Sequence, residues 1–138
     1  MSVKFSLNAS LAADTMPVAM LDLCEVRLMN DANFPWLVLV PHLPDAIEIV
    51  DLEPGTRHRL IDEIALASHI LRAVTGAEKL NVAALGNQVA QLHVHVVARF
   101  REDEAWPGPV WGAAPRRPYD NDSRIDLLTK LADALARA

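Results

Sequence analysis

The stretch GNQVAQLHVHVVARF, Gly86 to Phe100, sets two histidines one residue apart in a run of valines. An imidazole inside a hydrophobic strand is costly unless something satisfies or uses it. In an extended chain, side chains two apart share a face and stand roughly 6.6 Å apart, from a rise of about 3.3 Å per residue. Gln91, His93 and His95 therefore share one face, while Leu92, Val94 and Val96 take the other, which is expected to pack on a core helix. The polar triplet then lies on an open face or under a pocket. Three readings compete for it. The histidines can be core residues satisfied by neighbours. They can form a metal clamp, which needs a third ligand such as His42, Asp31 or Asp103. Or one imidazole acts as nucleophile or acid/base while its neighbour holds it in the right tautomer. The third reading is adopted, with no metal and no cofactor expected.

Around this stretch the chain alternates between two periods. CEVRLMND, from Cys24, alternates Val26 and Leu28 with Glu25 and Arg27, and PWLVLVP, from Pro35, is continuous and β-branched. Both predict strands, joined as an antiparallel hairpin by the short polar NDANF. From Pro54 to Thr75 the period becomes helical, with Leu60, Ile64, Ala67, Leu71 and Val74 on one stripe, Pro54 suited to the first turn and Gly76 to the stop. His58 and His69 fall off that stripe and are read as solvated. KLNVAAL and QLHVHVVARF predict two more strands around the turn GNQV. The proline-rich AWPGPVWGAAPRRPY excludes a helix or central strand, and SRIDLLTKLADALARA predicts a C-terminal helix capped by Ser123, with Ile125, Leu128, Leu131 and Leu135 on one side.

At 138 residues the chain is expected to form one domain, with residues 1–100 as its core and 101–138 as a proline-rich loop and C-terminal helix. Hydrophobic residues make up 51% and charged residues 22%, an ordinary globular balance. No apolar run reaches the roughly 20 residues of a membrane span, and MSVKFSLNAS lacks a signal-like apolar core, so a cytoplasmic protein is expected. Cys24, the only cysteine, excludes an intramolecular disulfide and a multi-cysteine zinc site. A net charge of −5 argues against nucleic-acid polymers, which need many phosphate-neutralising side chains, but not against one small anionic ligand.

The run GNQVAQLHVHVVAR resembles the signature of the histidine-triad (HIT) family of nucleotide hydrolases and transferases. The similarity extends back through LNVAALGN, the preceding helix and the strand pair, covering roughly residues 21–99. It implies an α+β fold: an antiparallel sheet of about five strands, one long helix and a C-terminal helix, usually assembled as a homodimer. By position, His93 matches the middle histidine, which in the family attacks the α-phosphorus and becomes transiently nucleotidylated, and His95 matches the supporting third. Gln91 departs from the pattern in place of the first histidine; glutamine can donate and accept hydrogen bonds but cannot be a cationic acid. The family's middle histidine is commonly oriented by the backbone carbonyl of that first position, which any residue supplies.

The same resemblance implies phosphate contacts from Asn87 and Gln88, with Asn81 near a third such position, and ribose contacts from Asn30 or Asp31, which otherwise read as turn formers. Trp106 and Trp111 lie in the loop that follows the histidine strand. That loop is expected to rim the active site, with Trp111 touching substrate, unless its tryptophans pack on the body of the protein or on a dimer partner. Arg116 and Arg117 add charge nearby. Ile61, Leu66 and Ile70 flank the helix stripe and suggest a face hidden in a homodimer. The substrate expected is a nucleotide conjugate, of the dinucleoside polyphosphate or phosphoramidate type. The rivals are a nucleotide-binding module without turnover and a metal-dependent hydrolase.

Overall fold

A computed structural model describes residues 4–138. Residues 1–3, part of the N-terminal stretch searched above for a signal segment, lie outside the described residues. The elements run α1 (Ala9–Asp14), β1 (Thr15–Met20), β2 (Cys24–Met29), β3 (Trp36–Pro41), α2 (Pro54–Thr75), β4 (Lys79–Ala83), β5 (Val94–Arg99) and α3 (Asn121–Ala136). The five strands form one antiparallel sheet in the order β1-β2-β3-β5-β4. This is the α+β architecture expected.

β3 is buried along its whole length because both of its faces are covered. That is why its sequence is an unbroken apolar run instead of an alternation. On one face Leu37 and Leu39 join Val26, Leu28, Val94, Val96 and Ala98 beneath Leu60, Ile64, Ala67 and Leu71 of α2 and Leu131 and Leu135 of α3. On the other, Trp36, Val38, Val40 and Val97 pack with Phe34, Leu11 and Val110, and Phe5, Leu7 and Trp111 close the edge. The second layer is a correction: the histidine face of the sheet is packed too, by the N-terminal segment and the proline-rich loop.

α2 keeps the bounds that its proline and glycine dictate, and Gly76 ends it at φ 73°, in the left-handed region where a side chain is strained. Ile70 is buried within the chain, and Leu66 is partly so, leaving Ile61 as the exposed member of the expected outer face. α3 starts earlier than predicted, because the Asp120 side chain, not Ser123, caps it by accepting from the Ser123 N–H. β1 and α1 have no counterpart in the sequence reading. β1 is an edge strand with Pro17 in it and a bulge between Pro17 and Ala19, which destroys the alternation. β5 begins only at Val94, so GNQV is not a tight hairpin but the start of a long connection, residues 84–93, with Gly86 at φ 76°. No helix among the described residues is long and apolar enough to cross a membrane.

Candidate active site

The connection between β4 and β5 turns back over the sheet and forms one wall of a cleft of about 460 Å³. Leu85 to Val89 supply that wall, Leu11 and Asp14 a second, and Val110, Trp111, Gly112, Ala114 and Arg116 a third. The floor is Met29, Asp31, Trp36, His93 and His95. His93 is 7% and His95 6% exposed. A second depression, of about 540 Å³, lies at the start of α2 and is lined by Asp22, His58, Arg59, Asp62 and Glu63 among others.

Hydrogen bonding fixes both tautomers. The His93 Nδ1 stands 2.7 Å from the carbonyl oxygen of Gln91. A carbonyl can only accept, so Nδ1 carries a proton, and in the neutral ring the lone pair is on Nε2. The Trp36 indole Nε1–H donates to His95 Nδ1 at 2.9 Å. An indole N–H can only donate, so the His95 proton sits on Nε2. The His93 and His95 rings meet edge to face with centroids 4.9 Å apart, and Trp111 packs edge-on against His95 at 5.2 Å and Trp36 at 5.7 Å. Burial, and then the neighbouring His93, push the His95 pKa down to about 4, so its ring is neutral at pH 7.

That depression has a sign. Between the ordinary value of 6.5 and about 4 the folded chain holds fewer protons at His95 than the unfolded chain does. Its contribution is whole above pH 6.5 and is lost as the pH falls toward 4, by about 3 kcal/mol in all at about 1.4 kcal/mol per unit. Denaturant titrations of the wild type and His95→Gln between pH 7 and 4 check this. The wild type should lose stability more steeply across that window, and parallel curves would contradict it.

The chain matches the HIT domain family model over residues 12–102. It belongs to the HIT domain family. Among solved structures it is similar to a histidine triad protein from Bradyrhizobium japonicum, 42% identical over 96% of this chain and 98% of that one, with a TM-score of 0.94. Another, from Sinorhizobium meliloti 1021, is 42% identical over 94% and 96%, with a TM-score of 0.91. A third, from Marinobacter aquaeolei VT8, is 41% identical over 98% of each chain, with a TM-score of 0.94. A search of curated proteins gives no match.

Within the HIT fold, the residues expected in the site separate into two groups. His93, His95, Asn87, Gln88, Asp31 and Trp111 all border the cleft. Asn81 does not: its Oδ1 accepts from the buried Arg99 guanidinium at 2.6 Å, on the side of the sheet edge that anchors the proline-rich loop. The Asn30 side chain is likewise engaged, accepting from the Tyr119 N–H. Asp31 Oδ1 takes the N–H groups of Asn33 and Arg117, which ties the β2–β3 turn to the loop. Trp106 lies over Arg99, 5.7 Å from its guanidinium carbon, and not among the cleft residues, so only Trp111 of the two indoles borders the cleft.

The Gln91 side chain is bonded at both ends to the N-terminal segment, so what it offers His93 is its backbone carbonyl. Of the metal-ligand partners considered, His42 pairs with Glu25 and stacks on Phe5, and Asp103 is bound to Arg99. Among the described residues no three His, Cys, Asp or Glu side chains are grouped to hold a metal ion. Cys24 is buried, and burial and the Glu63 carboxylate push its thiol up, which suppresses the reactive thiolate.

Sequence reasoning missed Trp36, Leu11 and Asp14 as parts of the site. A tryptophan opening an apolar strand reads as core, and its donor role emerges only when β3 lies beside β5, with Trp36 paired to Val97. Asp14, which pairs with Arg116 at 3.1 Å, comes to the cleft from a position far away in the chain, which no local pattern encodes.

Proposed function

We propose that this HIT protein is a nucleotide hydrolase or nucleotidyl transferase that works at the α-phosphorus of a nucleotide conjugate. The observation that carries the reading is the hydrogen bond that orients His93: the Gln91 carbonyl holds a proton on Nδ1, so the neutral ring keeps its lone pair on Nε2, and the residue borders the cleft. A neutral imidazole attacks an anionic phosphate without charge repulsion. Nε2 forms a bond to phosphorus as the bond to the leaving group breaks, and the leaving group takes up a proton. The positive charge left on the nucleotidyl-imidazole is stabilised by the Gln91 carbonyl facing Nδ1–H. Water, or another acceptor, then attacks phosphorus, releases His93 and returns a proton, so hydrolysis consumes one water. Asn87 and Gln88 hold phosphate oxygens and Asp31 a ribose hydroxyl. Arg116, which borders the cleft, adds positive charge near the phosphates.

Intact mass after brief incubation with dinucleoside polyphosphates and nucleoside phosphoramidates tests this. The expected product is a nucleotidyl adduct on His93. Tight binding with neither adduct nor product would leave a nucleotide-binding module instead.

Trp111 stands where a bound nucleotide would touch it. Nucleotide titration is expected to quench tryptophan fluorescence, and Trp111→Ala to raise KM more than it lowers kcat. Equal losses in both would assign the indole to the chemical step.

The working unit in this reading is a homodimer in the cytoplasm. Its support is the open outer edge of β4, where Val82 is 49% exposed, and Ile61 of α2 at 55%. Sedimentation at micromolar concentration should give twice the 15.2 kDa of one chain, and a monomer would remove the claim.

A further inference from the structure

Gln91 stands where the HIT pattern has a histidine, and its amide is used twice. The Asn8 backbone N–H donates to its Oε1 and its Nε2 donates to the Ser6 carbonyl, both at 2.8 Å. The two bonds engage adjoining peptide groups of one extended segment. A primary amide offers an acceptor and a donor from the same end of a planar group. An imidazole offers its two nitrogens at ring positions that point apart, and cannot grip both peptide groups at once.

The clamped segment leads directly into the cleft wall. Asn8 caps α1, its side chain accepting from the Ser10 N–H at 2.8 Å and its carbonyl from the Ala12 N–H at 3.0 Å. One turn later Leu11, 4% exposed, and Asp14 border the cleft, with Asp14 paired to Arg116, which borders it too. On the other side of the clamp Phe5 stacks on His42 with ring centroids 4.1 Å apart. α1 has only six residues, too few to hold itself helical, so its placement depends on these anchors.

We propose that Gln91 is a positioning residue that straps residues 5–14 over the nucleotide cleft and so sets nucleotide affinity through the wall formed by Leu11 and Asp14. The proposal rests on the nucleotide reading above. The strap acts on binding and not on the attacking atom, because His93 is oriented by the backbone carbonyl of residue 91, which survives substitution.

The test compares the full-length wild type with Gln91→Ala, Gln91→His and Gln91→Glu. Three quantities are measured: amide hydrogen exchange of residues 4–14, calorimetric binding of AMP, and kcat and KM on a dinucleoside polyphosphate. In Gln91→Ala and Gln91→His the Asn8 amide should exchange at least about tenfold faster, as expected for loss of its hydrogen bond and of the second bond that seats it. AMP binding should weaken by a similar factor, and KM should rise more steeply than kcat falls. Gln91→Glu keeps the acceptor for Asn8 but sets a carboxylate against the Ser6 carbonyl, and should fall between. Unchanged exchange at Asn8 in Gln91→Ala, or faster exchange with AMP affinity unaltered, overturns the proposal. A wild type that neither binds nor cleaves nucleotides overturns the functional reading itself, and its exchange data still report whether the strap exists.

Discussion

Replacing His93 by alanine is expected to lower turnover at least about a thousandfold, as loss of a nucleophile does in other covalent mechanisms, while leaving the fold in place. The variant removes the atom that would bond to phosphorus, and no neighbour can replace it. His95 is held with its Nδ1 on Trp36 and its ring wedged against Trp111, so it cannot swing into the vacated position without giving up a buried hydrogen bond. The stability cost should be small, because His93 borders an open cleft and its removal enlarges that cleft without sealing a new void. His95→Ala should behave differently. It strands the buried Trp36 N–H without an acceptor, which costs about 1–3 kcal/mol, and loses activity as well. Rates and melting temperatures of the two variants separate the roles. A His93→Ala chain that cleaves its substrates at the wild-type rate would end the nucleophile assignment.

The contrast between those two histidines shows where the sequence stops being informative. That His93 and His95 share a face follows from the period of a strand, and so does the burial of Val94 and Val96 against α2. α2 itself was legible to its ends because its apolar stripe, Pro54 and Gly76 all agree. β1 was not, because a proline and a bulge at the sheet edge erase its period. Nor was α1, six residues whose helicity depends on tertiary anchors. In the site, the resemblance to the HIT signature led to the cleft residues His93, Asn87, Gln88 and Asp31. It misdirected on Asn81 and on the Gln91 side chain, whose partners, Arg99, Ser6 and Asn8, are brought to them only by the fold. A hydrogen bond between positions 8 and 91 has no local signature. It exists because the second face of the sheet needs a cover, and the N-terminal segment is part of what covers it.

The other part of that cover is the proline-rich loop, and its attachment yields the largest expected loss of stability. Arg99, at the end of β5, and Asp103 form a two-pronged ion pair at 2.8 and 3.1 Å, with side chains only 2% and 5% exposed. Burial alone would raise the Asp103 carboxyl. The Arg99 guanidinium and the N–H groups of Phe100, Ala105 and Trp106 outweigh it and hold it well below the usual carboxylate range. Asp103→Ala removes all four partnerships together. Arg99 keeps Asn81 and the Gly108 carbonyl, which accept hydrogen bonds but carry no charge, so a cation is left buried without its counter-ion. Breaking one side of such a pair costs about 3–5 kcal/mol, which in a chain of this size is on the order of 10–20 °C in Tm. The effect should reach the cleft, because the turn at 100–106 leads into Val110 and Trp111, which border it. Where the variant is still folded, its KM should therefore rise. The pair Arg101 and Glu78 supplies the control: at 3.5 Å, with side chains 75% and 43% exposed, it should contribute less than about 1 kcal/mol. Chemical denaturation of Asp103→Ala beside Glu78→Ala makes the comparison. Equal, small losses in both would mean that the loop is held by its apolar contacts, Val110 and Trp111 against the second core, and not by the Arg99 anchor.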